Sequence, residues 1–127
     1  MDKEEFARKY TVLFPEREEA LVLHYEQFGE LLGHVFFGDE NEEFIELLRQ
    51  DRDMAAVRTY CDLVEEMWRH GTEAVQNIVD VTILERLSDE DRLWQKFGSY
   101  ISEDFKKYIN DILLIENGMM WGVKKMD

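Results

Sequence analysis

Three histidines, one cysteine and 29 acidic side chains are the groups in this 127-residue chain that could hold a metal or move a proton. Glu30 and His34 stand four residues apart, as do Glu66 and His70, so on a helix each pair shares a face. Di-iron carboxylate bundles instead use Glu-x-x-His pairs on two helices with further inward glutamates. That three-residue spacing does not occur here. His34 falls on a polar face, and His70 sits at a helix end, where it suits the negative pole of the dipole. His24, at the edge of an apolar arc, reads as a packing residue. Neither a metal site nor a cofactor is expected. Cys61 lies on an apolar face with nothing basic beside it to activate the thiol, so it reads as a small core residue. No nucleophile, cofactor loop or ligand cluster stands out, and no catalytic residue is assigned.

The carboxylates and amides offer more. On a helical wheel Glu85 falls among Ala74, Ile78 and Val81, within an apolar arc. A carboxylate buried there must find a cation, hydrogen bonds or a proton. A neighbouring Arg58 or Arg69 would supply the cation; otherwise Glu85 would line a pocket. Asn77 and Asp80 lie on the less apolar side of the same helix and are the other candidate pocket residues. Asp62, Glu65 and Glu66, with Glu73 nearby, form an acidic face suited to a basic partner protein. Trp121, between Met120 and Gly122 in an apolar tail, is the candidate apolar anchor, because aromatic residues and methionine are favoured in interfaces.

These residues need helices to position them. Pro15 with Glu16, Glu18 and Glu19 marks a helix start. From there Leu21, Tyr25, Phe28, Leu32 and Val35 recur at helical spacing, predicting one long helix that ends near Gly38. A shorter helix precedes it around Phe6 to Leu13. Asp39 or Asn41 would cap a short helix carrying Phe44, Ile45, Leu47 and Leu48. An amphipathic helix follows from about Asp53 to His70, stopped by Gly71. Thr72 then caps a helix to Leu87 whose apolar residues spread nearly round the circumference, the mark of a central helix packed on several sides. Its β-branched run Val79-Asp80-Val81-Thr82-Ile83 also fits a strand, but it lacks a partner strand. Ser88 with Asp91 resembles a capping box opening a helix with Leu93, Trp94 and Phe97. The last helix presents Ile101, Phe105, Tyr108, Ile109 and Ile112 and stops at Asn117-Gly118.

Composition bounds the rest. An apolar content of 45% excludes a disordered tail despite the charge. A single proline and seven glycines are few for a β-sandwich. The formal charge of −14 disfavours nucleic acid and anionic membrane surfaces alike. No signal peptide is expected from the acidic N-terminus, nor a membrane span, so the expected location is the cytoplasm. The expectation is one all-α domain over residues 1–127, with six or seven short helices in stacked hairpins like an armadillo or HEAT superhelix. An irregular helical bundle is the alternative.

The stretch Tyr60-Cys61-Asp62-Leu63-Val64-Glu65-Glu66-Met67-Trp68-Arg69-His70-Gly71, followed by Val75, Asn77 and the run from Val81 to Leu87, resembles a family of small acidic helical bacterial proteins of unknown function. The likeness covers about half of the chain, extending through Phe97-Gly98 to Ile101. It implies an armadillo-like fold and carries no catalytic residues to transfer. Some small acidic bacterial proteins are immunity proteins that neutralise a toxin, an analogy of class only. The function expected is therefore a non-enzymatic protein-interaction module with an acidic surface for a basic partner, immunity- or antitoxin-like. The alternative is a small-ligand binder or enzyme with a pocket around Glu85.

Overall fold

Asp2 opens the first helix with a reciprocal cap. Its carboxylate accepts from the Glu5 backbone N–H at 2.8 Å, and the Glu5 carboxylate accepts from the Asp2 N–H at 3.2 Å. A computed structural model describes the backbone of residues 1–113 and the side chains of residues 1–111. Helix α1 spans Lys3–Leu13, and a 3-10 turn at Pro15–Arg17 leads into α2, Glu18–Phe28. Helices α3, Gly33–Gln50, and α4, Met54–His70, follow. Helix α5 covers 73–88 in three stretches: Glu73–Asn77 and Glu85–Ser88 are α-helical, and Ile78–Leu84 between them is π-helical. Helix α6 is Asp91–Gly98, and α7 is Glu103–Tyr108, continued by a π segment at Ile109–Leu113. Among the described residues the chain is all-α, with seven helices and no strand. None of these helices is long and apolar enough to cross a membrane.

The long helix expected from Pro15 to Gly38 is two helices. Gly29 adopts φ 75°, a left-handed conformation that only glycine takes without strain, and its N–H donates to the Tyr25 carbonyl to close α2. The buried His24 then fastens the turn, since its Nε2 accepts from the Leu32 N–H at 3.0 Å. Gly38, expected as a terminator, lies inside α3. A Cβ there would sit 3.2 Å from Thr82 Cγ2, so the bare glycine lets α5 lie close. Asp39 and Asn41 are consequently interior residues of α3 and not caps. The expected capping box at Ser88 is likewise absent. The Ser88 hydroxyl donates to the Glu85 carbonyl at 2.7 Å within α5, and the residue that precedes α6 is Glu90.

Asp53 and Thr72 do cap α4 and α5, accepting from the N–H groups of Ala56 and Val75. Gly71 follows α4 as expected. The stop expected at Asn117-Gly118 lies outside the described residues.

The π segment overturns the expectation that α5 is sheathed on all sides. Five of its seven residues are β-branched, and the wider turn relieves their crowding against the preceding turn. A π turn advances about 80° per residue in place of about 100°. On that corrected wheel Val75, Ile78, Val79, Ile83, Leu84 and Leu87 gather on one buried face. Glu73, Ala74, Asn77, Val81 and Glu85 share the opposite face, and Val81 is 51% exposed. Helix α5 is one-sided.

Helix α3 lies at the centre of the packing, against α4, α5 and α6, while α1 packs on α2 and α4. Phe36, Phe37, Phe44, Ile45 and Leu48 form its buried stripe. Phe44 stacks on Tyr60 of α4 at 3.8 Å between ring centroids, and Tyr10 of α1 sits edge-on to Phe36, Phe37 and Phe44. Trp94, Phe97 and Phe105 complete the core towards α6 and α7.

Candidate functional site

The acidic face of α4 is largely occupied with internal work. Asp62, Glu65 and Glu66 do line one shallow cavity, together with Arg69, Tyr100 and Ser102. Glu65 accepts from the Ser102 backbone N–H at 2.8 Å and from Arg69 at 3.0 Å. Burial alone would raise its carboxyl, but the Ser102 N–H and hydroxyl with Arg69 outweigh that and hold it below the usual range. Glu66 takes both oxygens to the Lys9 ammonium, at 2.5 and 2.6 Å. Of the expected contact residues on this helix, Asp62 is the one left exposed without an ion pair among the described residues.

Glu73, Asn77 and Asp80 are brought together on an open cleft of about 600 Å³, with Lys3 of α1 and Gly33 and His34 of α3 on its other side. Tyr108 donates to Asp80 Oδ2 at 2.9 Å, whereas Asp80 Oδ1 is buried with no hydrogen-bond partner. Burial pushes the Asp80 carboxyl up, which the Tyr108 hydroxyl offsets only in part. The Tyr108 phenol is itself pushed up to about 12, by burial and by Asp80. Glu85 does not join this cleft. It is exposed, for the reason given by the π turn, and the arginines expected beside it are engaged elsewhere: Arg69 on Glu65, Arg58 over the Tyr100 ring. Trp121 lies outside the described residues.

Among the described residues no three His, Cys, Asp or Glu side chains are grouped to hold a metal ion. His34 Nδ1 lies 2.5 Å from Thr82 Oγ1, which ties α3 to the π segment. Cys61 is buried, and burial pushes its thiol far above the ordinary range, away from reactivity.

Two features were not foreseen. The first is Glu40, only 3% exposed on α3. Its carboxylate accepts from the Tyr10 hydroxyl at 2.6 Å and from Arg17 Nε and Nη2 at 2.6 and 2.9 Å. A buried charge is tolerable when paired and fully hydrogen-bonded in this way. Beside it Asn41 accepts from the Tyr60 hydroxyl at 2.6 Å and donates to the Ile83 carbonyl at 3.5 Å. The signal was present in the spacing: Phe36, Phe37, Glu40, Asn41, Phe44, Ile45 and Leu48 form one continuous stripe once the helix runs through Gly38.

The second feature is a groove between α2 and the start of α3, with a volume of about 290 Å³. Ala20, Leu23, His24, Gln27 and Phe28 form its α2 wall, and Val35, Phe36, Asp39 and Glu40 its α3 wall. Leu23 is 53% exposed and Val35 42%, and Val22, Tyr25 and Phe28 are exposed on the same short helix. From Glu18 to Leu48 the chain contains no lysine or arginine. Arg17 is turned inward onto Glu40, leaving Glu19, Glu26, Glu30 and Asp39 without an ion pair among the described residues. An apolar strip inside an uncompensated acidic border is the result.

Comparison with curated proteins and with solved structures gave no match to either. A family model does match, over residues 7–116, and takes in all seven helices in whole or part. By that match the chain belongs to the family described as a domain of unknown function (DUF7674).

Proposed function

We propose that the protein is a non-enzymatic interaction module that takes a basic partner protein through the α2–α3 groove. The observation that carries this reading is the exposed apolar strip of Leu23, Phe28 and Val35 inside a border of unpaired carboxylates. Interfaces join an apolar centre to a polar rim, and contiguous exposed apolar surface marks a contact site. The groove replaces the α4 face as the main contact, because Glu65 and Glu66 already satisfy internal cations. Asp62 and Glu73 remain exposed but lie outside the lining of the groove. An immunity- or antitoxin-like inhibitor of a basic toxin domain is one role of this type, and a toxin gene adjacent to this one would support it.

For the architecture we propose an irregular bundle over stacked hairpins. In a solenoid each repeat meets only its neighbours, whereas α3 also meets α5 and α6, and α1 meets α4.

The test is capture with the intact chain as bait, wild type against Glu19→Lys/Glu26→Lys, two exposed positions without an ion pair among the described residues, with circular dichroism to check that the double variant keeps its helices. A stoichiometric basic partner held by the wild type, released by salt and lost from the double variant supports the reading. The same proteins on both baits contradict it.

A second reading, a small-ligand site, draws on the cleft at Glu73, Asn77 and Asp80 and its unpartnered Asp80 Oδ1. It calls for a hydrogen-bond donor in the ligand. A thermal-shift screen of small amines and amides, with Asn77→Ala as the control, tests it: stabilisation of both proteins alike, or of neither, contradicts a site there.

A further inference from the structure

Resting on the interaction-module reading, we infer that the occupant of the α2–α3 groove is a basic amphipathic helix of a partner protein, seated as an added helix against α2 and α3. Three observations bear on the kind of occupant. The α2 wall is built from positions 20, 23, 24, 27 and 28, the i, i+3, i+4, i+7, i+8 ridge that interdigitates with another helix. Among the described residues there is no strand, so an extended peptide has no sheet edge to add to. The border groups that carry charge without an ion pair among the described residues are carboxylates. Glu19 and Glu26 lie one step outward from Leu23 on the α2 wheel, and Asp39 lies on the α3 side.

Charge also decides between a partner and a second copy. Two copies meeting through this groove would oppose identical acidic borders, each on a chain of net charge −14. A lysine- or arginine-flanked helix meets the same border with opposite charge. Helix α2 has 11 residues, so it offers a wall about 16 Å long, room for roughly three turns of a partner. Leucine-sized side chains on one face of that partner would fill the space between Leu23 and Val35. Its basic flanks would lie along Glu19, Glu26 and Asp39.

The experiment is fluorescence anisotropy with the intact chain and three labelled synthetic peptides. One places leucines at helical spacing among lysines. One has the same composition with leucines alternating at period two. The third repeats the helical spacing with glutamate for lysine. Each is titrated against wild type, Leu23→Lys and Val81→Lys. The two variants change net charge equally at half-exposed positions, one in the groove and one on the far face of α5. The expected result is binding of the helical basic peptide about tenfold or more tighter than the alternating one. It should be weakened about tenfold by Leu23→Lys and little changed by Val81→Lys, and there should be no binding of the acidic peptide. Equal binding of the two basic peptides, still sensitive to Leu23→Lys, overturns the helical occupant and leaves the interaction reading standing. Failure of every peptide to bind, or equal loss in both variants, overturns both. Sedimentation of the free chain as a dimer that Leu23→Lys dissociates makes the groove a self-interface and also overturns the proposal.

Discussion

Removing the Glu40 carboxylate strands two donors at once, the Tyr10 hydroxyl and the Arg17 guanidinium. Arg17 is partly exposed and can regain water, so the cost of Glu40→Ala falls at about 2–3 kcal/mol, below that of breaking a fully buried pair. Tyr10→Phe removes one donor and leaves the carboxylate on Arg17, for about 1 kcal/mol. Urea denaturation of the two single variants and the double variant checks both figures. The double should cost less than the sum, because the residues share one network. Asp80 behaves oppositely. Its folded pKa is raised above the ordinary 3.8, so its contribution to stability is full below that value and is lost as pH rises through the raised folded pKa. Asp80→Asn should therefore gain on the wild type as pH increases across that interval, and the gap should close again on acidification. A constant difference at all pH values would mean that Asp80 ionises in the fold as freely as in the unfolded chain. The bare sequence marked Asp80 as a pocket candidate but gave no role to Glu40. A helix boundary expected near Gly38 separates Glu40 from the apolar stripe it belongs to in α3, and Asp80 falls on a helical wheel whose period the π turn changes.

Element boundaries were legible where a side chain caps locally, as at Asp53 and Thr72, or where a glycine ends the helix, as at Gly71. They were misread where a glycine has two possible uses. Gly29 and Gly38 look alike in sequence, yet Gly29 takes the left-handed conformation that stops α2, and Gly38 is a flat spot against Thr82. Only the tertiary packing of α3 on α5 distinguishes them. Two substitutions separate backbone freedom from space. Gly29→Ala has open surroundings and strains only the backbone, so about 1 kcal/mol is expected. At Gly71 the φ is ordinary, but a Cβ would fall 2.3 Å from the Met67 carbonyl oxygen and 2.4 Å from Val75 Cγ1. Gly71→Ala should cost about 1–3 kcal/mol and shift the α4–α5 junction. Thermal unfolding that ranked Gly29→Ala as the more damaging would reverse this account of the two turns. The π stretch of α5 is the largest departure from expectation. Its β-branched run was noticed, but a period of 3.6 residues spread its apolar side chains round the helix, when the wider turn gathers them on one face.

At the scale of the molecule, the class was legible from composition and helical periodicity, because both follow from local chemistry. The location of the proposed contact surface was not, because it depends on which carboxylates find cations across the fold. Lys9, Arg69, Arg49 and Arg86 take Glu66, Glu65, Glu46 and Glu42 respectively, joining elements distant in sequence as well as neighbours on a helix. At the border of α2 and α3 Arg17 compensates Glu40, but Glu19, Glu26, Glu30 and Asp39 have no such partner, and the apolar strip has no covering element among the described residues. Mapping by amide NMR of the intact chain, titrated with a lysine-flanked amphipathic helical peptide, tests this most directly. The account predicts shifts confined to Ala20, Leu23, Gln27, Phe28, Val35 and Asp39, fading as salt is raised. Shifts centred on Asp62, Glu65 and Glu66, or scattered over the acidic surface without focus, would contradict it.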